Sequence, residues 1–173
     1  MVISMFLLAQ LVGLIGLIFT IISFFEQKKD KILLTQLSAN ISYAFQLYLL
    51  KADGGMYLCL LAAIRTLYFY KSKSSTKKQL FIFCLLSIII GFINFKNVNS
   101  IIPVVGFISL TYALWQNDVK KFRKYALINS LSWLVYDFLV GAYTGSFSAI
   151  IEIMSIIFAI SKLKEEVNAN EKA

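Results

Sequence analysis

Histidine is absent from this chain of 173 residues, and charged residues make up only 15% of it, against about 25% in a typical soluble domain. Histidine is the usual side chain for acid–base catalysis near neutral pH and the commonest metal ligand. Its absence excludes histidine-based acid–base catalysis and metal binding by histidine. The sequence also has no nucleophile–base pair, no cluster of metal ligands and no phosphate-binding loop. We therefore expect a protein that is not an enzyme and that uses no metal or cofactor.

Cysteine and proline are rare as well. The two cysteines, Cys59 and Cys84, lie inside apolar segments, where a free cysteine behaves as a small hydrophobic residue. The sequence is instead rich in apolar residues, which make up 59% of it, and its mean hydropathy is +0.76. Because runs of about 20 apolar residues match the ~30 Å hydrocarbon core of a bilayer, the composition predicts an all-α integral membrane protein.

Seven apolar segments alternate with polar breaks along the chain. The first segment lacks the basic start and the cleavage site of a secretory signal, so we expect it to be retained as a membrane helix. Pro103, the single proline, falls in the first turn of the fifth segment, where its missing N–H costs little. The predicted transmembrane helices cover residues 4–25, 32–50, 55–70, 79–95, 101–115, 124–141 and 145–161.

Basic residues are concentrated on one side of the predicted membrane. The other side has only Lys51 and Lys96, and Arg65 lies within a span. By the positive-inside rule, the N-terminus is predicted outside and the C-terminus in the cytoplasm. Since topology explains the basic excess, we expect no nucleic-acid partner. The basic side carries Lys28, Lys29, Lys31, Lys71, Lys73, Lys77, Lys78, Lys120, Lys121, Arg123, Lys124, Lys162, Lys164 and Lys172.

The chain repeats its own layout after a shift of 90 residues. A helix, a basic loop, a helix, a glycine turn and a helix occur twice, with the fourth span between the two copies. An odd linking helix makes the copies parallel repeats, an arrangement that in some transporters places a substrate site between the repeats. The shift aligns Gly16 with Gly106, Phe25 with Trp115, Lys31 with Lys121, Ser42 with Ser132, Tyr43 with Trp133 and Gly55 with Gly145.

These observations predict a single membrane domain over residues 1–165. Within it, the first repeat covers 4–71, the linking helix 79–95 and the second repeat 101–163, and a polar cytoplasmic tail follows at 166–173. The lipid bilayer is therefore the first expected partner. No part of the sequence marks an interface for a homo-oligomer, which stays an open alternative.

Arg65 stands in the middle of an otherwise apolar span. A charge at a helix centre costs about 2.5–3.5 kcal/mol on insertion scales, so Arg65 is expected to face the bundle interior and to have a partner. Glu152 lies at a similar depth in the equivalent helix of the second repeat. The two form either a buried pair that docks the repeats or the charged floor of a solute cavity. A pair between Arg65 and Asp137 is a third alternative.

Further polar and aromatic residues share helical faces near this depth. On the second span these are Gln36, Asn40, Tyr43 and Gln46; on the sixth they are Asn129, Trp133, Tyr136 and the adjacent Asp137. Such residues suit the wall of a small-solute site. The alternatives are that the amides and hydroxyls join helices, that the rings sit in interfacial belts, and that Asp137 reaches headgroup water. The predicted substrate-binding residues are Arg65, Glu152, Asn40, Tyr43, Trp133, Tyr136, Asn129 and Asp137.

Several of these motifs resemble a known family. The segments AIRTL (63–67) and PVVGFISLTYALW (103–115) are similar to the bacterial YgjV inner-membrane family, and the 3+1+3 layout, with SWLVYDFLVGAYTG (132–145) entering the last helix, resembles the SWEET and PnuC transporters. The YgjV resemblance implies the bacterial inner membrane and carries no activity. The SWEET likeness implies passive transport of a small solute, but the proline-containing motifs of sugar carriers are absent, which disfavours a sugar. The YgjV-like residues in order are Trp133, Tyr136, Asp137, Gly141, Gly145 and Glu152.

We therefore predict a small-solute transporter or facilitator with a central site between the repeats, for a polar anionic or zwitterionic solute. The alternative is an accessory or scaffold protein of the inner membrane with a closed core and no transport activity. A continuous pore is disfavoured because the outer half of the third span, GGMYLCLLAA (54–63), is too apolar to line one.

Overall fold

The computed structural model describes residues 2–26, 28–72, 76–116 and 118–170. These residues form seven α helices, each matching one predicted segment, so the all-α prediction is confirmed. Three segments, Ser4–Ser23, Val98–Trp115 and Tyr143–Ser161, are long and apolar enough by themselves to cross a membrane. The helices are α1 (Val2–Phe25), α2 (Lys29–Leu49), α3 (Asp53–Ser72), α4 (Lys77–Ile93), α5 (Ile102–Trp115), α6 (Val119–Val140) and α7 (Tyr143–Asn170), with a 3-10 turn at Val98–Ile101.

Local sequence explains where several helices begin and end. Thr76 caps α4 in a capping box with Gln79, and the side chain of Asp118 accepts hydrogen bonds from the first turn of α6. Helix α6 ends at Gly141, whose φ of 78° is left-handed and suits glycine. Helix α7 runs to Asn170 rather than to the predicted 161, because Lys, Leu, Glu and Ala favour a helix outside the membrane as well.

Six helices pack in a closed ring. Helix α2 packs between α1 and α3, and α6 packs between α5 and α7. The ring closes where α1 meets α7 and where α3 meets α5, while α4 packs on α5 and α3. Because each helix packs on the next along the chain, successive helices run in opposite directions. We call the end of the bundle with the α1–α2, α3–α4 and α5–α6 connections the basic end, and the other the opposite end.

The surface and the interior have the polarity expected in a bilayer. Large apolar side chains such as Phe92 and Phe158 are 84% and 73% exposed. The most buried side chains include Gln46, Arg65 and Thr111, which are 1–3% exposed. Since the hydrocarbon core offers no hydrogen-bonding partner, an apolar exterior and an internal set of polar groups fit a chain surrounded by lipid.

Small residues bring helices close together within each group of three. A Cβ atom at Gly16 would lie 2.8 Å from the ring of Tyr43 in α2, and one at Gly106 would lie 3.0 Å from Cβ of Ser132 in α6. A Cβ atom at Gly16 would be closer than real Cβ contacts allow, and one at Gly106 would force Ser132 to shift, so glycine permits the close packing at both sites. These contacts bring Tyr43 and its neighbours close to the centre of the helix ring.

Part of the predicted topology signal falls beyond the described residues. Lys73 and Lys172 lie outside them, as do the side chains of Lys29, Lys162 and Lys164 and residues 171–173 of the predicted tail. Of the remaining basic side chains, most are exposed at the basic end, as the charge pattern predicts.

Candidate functional site

A cavity of about 290 Å³ lies at the centre of the helix ring. All six ring helices contribute to its lining, and α4 does not. The polar face predicted on α2, with Gln36, Asn40, Tyr43 and Gln46, borders it throughout. Of the eight predicted substrate-binding residues, seven line the cavity: Arg65, Glu152, Asn40, Tyr43, Trp133, Asn129 and Asp137.

Arg65 is held by helix α5. Its Nη1 donates hydrogen bonds to Thr111 Oγ1 at 2.6 Å and to the Phe107 carbonyl at 3.4 Å. The guanidinium also lies over the Phe107 ring, with Cζ 4.6 Å from the ring centroid, which is within cation–π range. The side chain is only 3% exposed. We call Arg65, Phe107 and Thr111 the arginine wall.

Of the alternatives left open for Arg65, neither the buried pair with Glu152 nor the pair with Asp137 is formed among the described residues, whereas Arg65 and Glu152 both border the central cavity. The ion pairs found among the described residues are Lys31–Glu26 and Lys96–Asp53. The prediction assumed that equivalent helices of the two repeats face each other across the centre. In the structure α3 packs beside α5, so the guanidinium reaches Thr111 before any carboxylate.

The two carboxylates lie on the other side of the cavity with few partners. Glu152 Oε2 accepts a hydrogen bond from Ser130 Oγ at 2.9 Å. The carboxylate of Asp137 accepts none from any residue in the described part of the chain. Asp137 is 7% exposed, so it lies inside the bundle and not in headgroup water. A Cβ at Gly145 would be 2.5 Å from its Oδ2, so glycine at 145 leaves room for this carboxylate.

Two neutral side chains of the same two helices add buried oxygen atoms to the site. Asn129 Oδ1 makes no hydrogen bond within the described ranges, and Ser148 Oγ interacts with the Tyr43 hydroxyl. Asn129 is 7% and Ser148 3% exposed, and both line the cavity. We call the side chains of Asn129, Asp137, Ser148 and Glu152, all from α6 and α7, the acceptor wall.

The two aromatic residues predicted to line the site, Tyr43 and Trp133, border the same cavity. The Tyr43 hydroxyl lies 3.2 Å from Thr20 Oγ1, which itself donates to the Gly16 carbonyl. The Trp133 ring packs edge to face on Tyr136, with centroids 5.9 Å apart. Tyr43 and Trp133 are the residues aligned by the 90-residue shift.

Tyr136 is the one predicted residue outside the central cavity. Its hydroxyl accepts a hydrogen bond from the Gly55 backbone N–H at 3.0 Å, at the start of α3. It lines a second, smaller pocket of about 180 Å³ at the opposite end, with Lys51 and Asp53. Although it shares a helical face with Asn129 and Trp133, its ring packs against Gly55 at the start of α3 and does not border the cavity.

The cavity is closed at the opposite end by a cluster of hydrogen bonds. Gln46 Nε2 donates to Thr144 Oγ1 at 2.7 Å and to Gln10 Oε1 at 3.3 Å. Gln10 Nε2 donates to the Gly141 carbonyl at 2.8 Å, and the Thr144 N–H donates to Gln10 Oε1 at 3.2 Å. Together with the Tyr136–Gly55 bond, these contacts join the first three helices, α1, α2 and α3, to α6 and α7.

Several residues of the site were not predicted from the sequence. They include Thr111, which bonds Arg65, Ser130, which bonds Glu152, and Ser148, which lines the cavity. Two more, Gln10 and Thr144, take part in the hydrogen bonds that close the cavity. The available signal was weak but real: each is a polar residue in an apolar run, and Ser148 precedes Glu152 by one helical turn.

A family model described as a bacterial inner membrane protein, Imp-YgjV, matches residues 7–166. The chain belongs to this family. The match runs from α1 to α7 and includes every residue of the cavity, so the predicted YgjV resemblance is confirmed. No curated protein and no solved structure matches the chain, so the comparisons give the SWEET-like architecture no support.

Proposed function

We propose that this Imp-YgjV family member is a small-solute transporter of the bacterial inner membrane, with its solute bound in the central cavity. The observation that carries the proposal is the set of polar and charged side chains that border an internal space of about 290 Å³ with an otherwise apolar lining. Ionisable residues inside a membrane are expensive and mark solute or ion pathways. Here Arg65, Asp137 and Glu152 border one cavity without neutralising one another.

The packing supports two parallel three-helix repeats, α1–α3 and α5–α7. In each group the middle helix packs between the other two, and the contacts of α1 with α7 and of α3 with α5 are equivalent under the 90-residue shift. The closing hydrogen bonds are related in a similar way. The shift places Gln46 on Tyr136, and these two residues bond to Thr144 and to Gly55, in the first turns of α7 and α3. Thr144 aligns with Gly54, one residue before Gly55.

This arrangement supports alternating access by rocking of the two repeats. Hydrogen bonds between the repeats close the opposite end, which the charge pattern assigns to the outside. Toward the basic end the cavity is lined by apolar residues such as Leu114, Phe122 and Ile156. Among the described side chains, no hydrogen bond joins the repeats beyond Arg65 in that direction. We therefore assign the structure to a state closed to the outside, in which solute enters or leaves from the cytoplasm.

The second candidate is an accessory or scaffold protein of the same membrane. That function needs a closed core, in which side chains from the two repeats fill the space between them. Asn129 Oδ1, buried and unpartnered beside a cavity, favours the transporter, because a purely structural core is expected to satisfy its buried polar groups.

Thermal unfolding of the detergent-purified protein against a solute panel tests the proposal. The panel contains amino acids, amines, carboxylates, nucleosides, vitamins and sugars. A solute at a hundredfold its dissociation constant adds about 2.7 kcal/mol to the free energy of unfolding, and the same solute should then cross proteoliposome membranes only when the protein is present. If no solute stabilises the protein and none crosses, the transporter proposal is overturned in favour of the scaffold.

A further inference from the structure

The acceptor wall offers far more hydrogen-bond acceptors than donors. Asp137 and Glu152 contribute carboxylates, Asn129 an amide oxygen and Ser148 a hydroxyl, which also accepts. Asn129 and Asp137 of α6 are eight residues apart and Ser148 and Glu152 of α7 are four apart, so each pair shares a helical face. The wall is therefore built into two adjacent helices.

The protein itself supplies almost no donor to this wall. Within the described residues, the one side-chain donor to either carboxylate is Ser130 Oγ, which bonds Glu152 at 2.9 Å. Asn129 Oδ1 is buried and unpartnered, and Ser148 Oγ, also buried, interacts with the Tyr43 hydroxyl. A buried acceptor without a donor costs free energy, so the wall suits a ligand that brings several N–H or O–H groups.

Charge points the same way. Two carboxylates and one guanidinium line the cavity, but Arg65 is bound to Thr111 and Phe107 of α5. The guanidinium is thus bound to α5 and pairs with neither acid. A buried charge is tolerated when it is paired, and a ligand with a positive group completes the pairing that the protein leaves open.

The rest of the cavity suits an organic cation better than a metal ion. No group of three or more acidic, cysteine or histidine side chains that would hold a metal occurs among the residues that the structure describes. Tyr43 and Trp133 border the cavity, and the faces of aromatic rings attract ammonium groups. A volume of about 290 Å³ limits the ligand to a small molecule.

On this basis, and resting on the proposed transport function, we infer that the solute carries a protonated amine, which binds at Asn129, Asp137, Ser148 and Glu152. A simple alkylammonium ion and an amino acid share this group. The amino acid also carries a carboxylate, which Arg65 Nε, buried and unpartnered across the cavity, is placed to receive. A purely anionic solute has no partner at the acceptor wall and is disfavoured.

A set of small ligands of matched size tests the inference. The purified full-length protein is melted in sodium phosphate, which contains no amine, at constant ionic strength. The ligands are propylamine, 3-aminopropionate, propionate and 1-propanol. We expect propylamine, 3-aminopropionate or both to raise the melting temperature by about 5–10 °C at a hundredfold their dissociation constant, and propionate and propanol to have no effect.

Variants locate the binding group. Asp137→Asn and Glu152→Gln keep side-chain size and remove one negative charge each, and each is expected to weaken amine binding about 30-fold or more. Asp53→Asn is the matched control, because Asp53 is a carboxylate that pairs with Lys96 on the exposed surface, and it should bind as wild type does. If one acceptor-wall variant fails to fold, the other still supplies the comparison.

Each outcome decides between the two proposals. Stabilisation by propylamine supports the inference with an alkylammonium ligand, and stabilisation by 3-aminopropionate alone supports it with an amino acid. If propionate stabilises and neither amine does, or if both acceptor-wall variants bind amines like wild type, the inference is overturned while the transport function stands. If nothing in this set or in the wider panel stabilises the protein or crosses the membrane, the transport function falls as well.

Discussion

The two walls of the central cavity differ in whether the protein supplies hydrogen-bond partners for their buried polar groups. On the arginine wall, Arg65 bonds Thr111, and Thr111 Oγ1 donates in turn to the Phe107 carbonyl at 2.7 Å. On the acceptor wall, the Asp137 carboxylate has no donor within the described residues. A polar group that the protein satisfies contributes to the structure, whereas one that it leaves unsatisfied inside a membrane is available to a ligand. The comparison assigns stability to the first wall and recognition to the second.

The largest expected effect is on the stability of the arginine wall. Arg65→Ala removes a long buried side chain that stacks on Phe107, and we expect the free energy of unfolding to fall by about 2–5 kcal/mol, as for other large-to-alanine changes. Arg65→Met keeps the volume without the charge and should recover most of this loss. Chemical or thermal unfolding in detergent measures both. An Arg65→Ala variant as stable as wild type would contradict the structural role of this wall.

The acceptor wall should respond in the opposite sense. Asp137→Asn removes a buried charge that has no protein donor, so we expect stability without ligand to be unchanged or higher by about 1 kcal/mol, since an unmet buried acceptor is unfavourable. Amine binding should be lost in the same variant. Melting curves with and without propylamine separate the two effects. A strongly destabilised Asp137→Asn protein would show that this carboxylate supports the fold.

A smaller effect is expected where the opposite end is closed. Tyr136→Phe removes the hydroxyl that accepts from the Gly55 N–H, a single hydrogen bond worth about 0.5–1.5 kcal/mol. Because this bond joins α6 to the start of α3, the proposed transport mechanism predicts that its loss favours opening at the opposite end and speeds solute exchange from that side. Flux in proteoliposomes measures the change. Slower exchange at unchanged stability would argue against a gate at this position.

The smallest effect is expected on the surface. Asp53→Asn breaks the ion pair with Lys96, whose side chains are 42% and 66% exposed. Exposed pairs contribute little, and we expect a change of at most about 1 kcal/mol in the free energy of unfolding. Unfolding in low and high salt checks this. A larger, salt-independent loss would mean that the second pocket at this end has a structural role beyond the ion pair.

Much of the fold could be predicted because each helix is encoded by its own apolar run. The faces toward the cavity were predictable too, since Gln36, Asn40, Tyr43 and Gln46 follow helical spacing. The partner of Arg65 was not, because it depends on which helices become neighbours. Equivalent positions in a repeat suggest that two helices face each other. They do not show that α5 packs closer to α3 and places Thr111 within reach.

Two other differences have the same origin in tertiary packing. Tyr136 lies on the predicted face, but its ring packs toward the start of α3, where Gly55 leaves room for it: a Cβ at residue 55 would clash with the ring. Helix α7 continues to Asn170 because hydropathy marks the membrane boundary, while helix propensity decides where the helix stops. A hydropathy pattern encodes neither the direction in which a side chain such as Tyr136 packs nor the end of a helix outside the membrane.

The contrast between the walls is tested most directly through Cys59, a native thiol that lines the cavity. In a Cys84→Ser background, Cys59 would be modified with 2-aminoethyl or 2-sulfonatoethyl methanethiosulfonate, reagents of similar size and opposite charge. The ratio of the two modification rates, cationic over anionic, is divided by the same ratio for free cysteine. We predict a corrected ratio of about ten or more in the wild-type background and a ratio close to one in Asp137→Asn. Equal rates, a preference for the anion, or no reaction at all would contradict a cation-selective, solvent-accessible cavity.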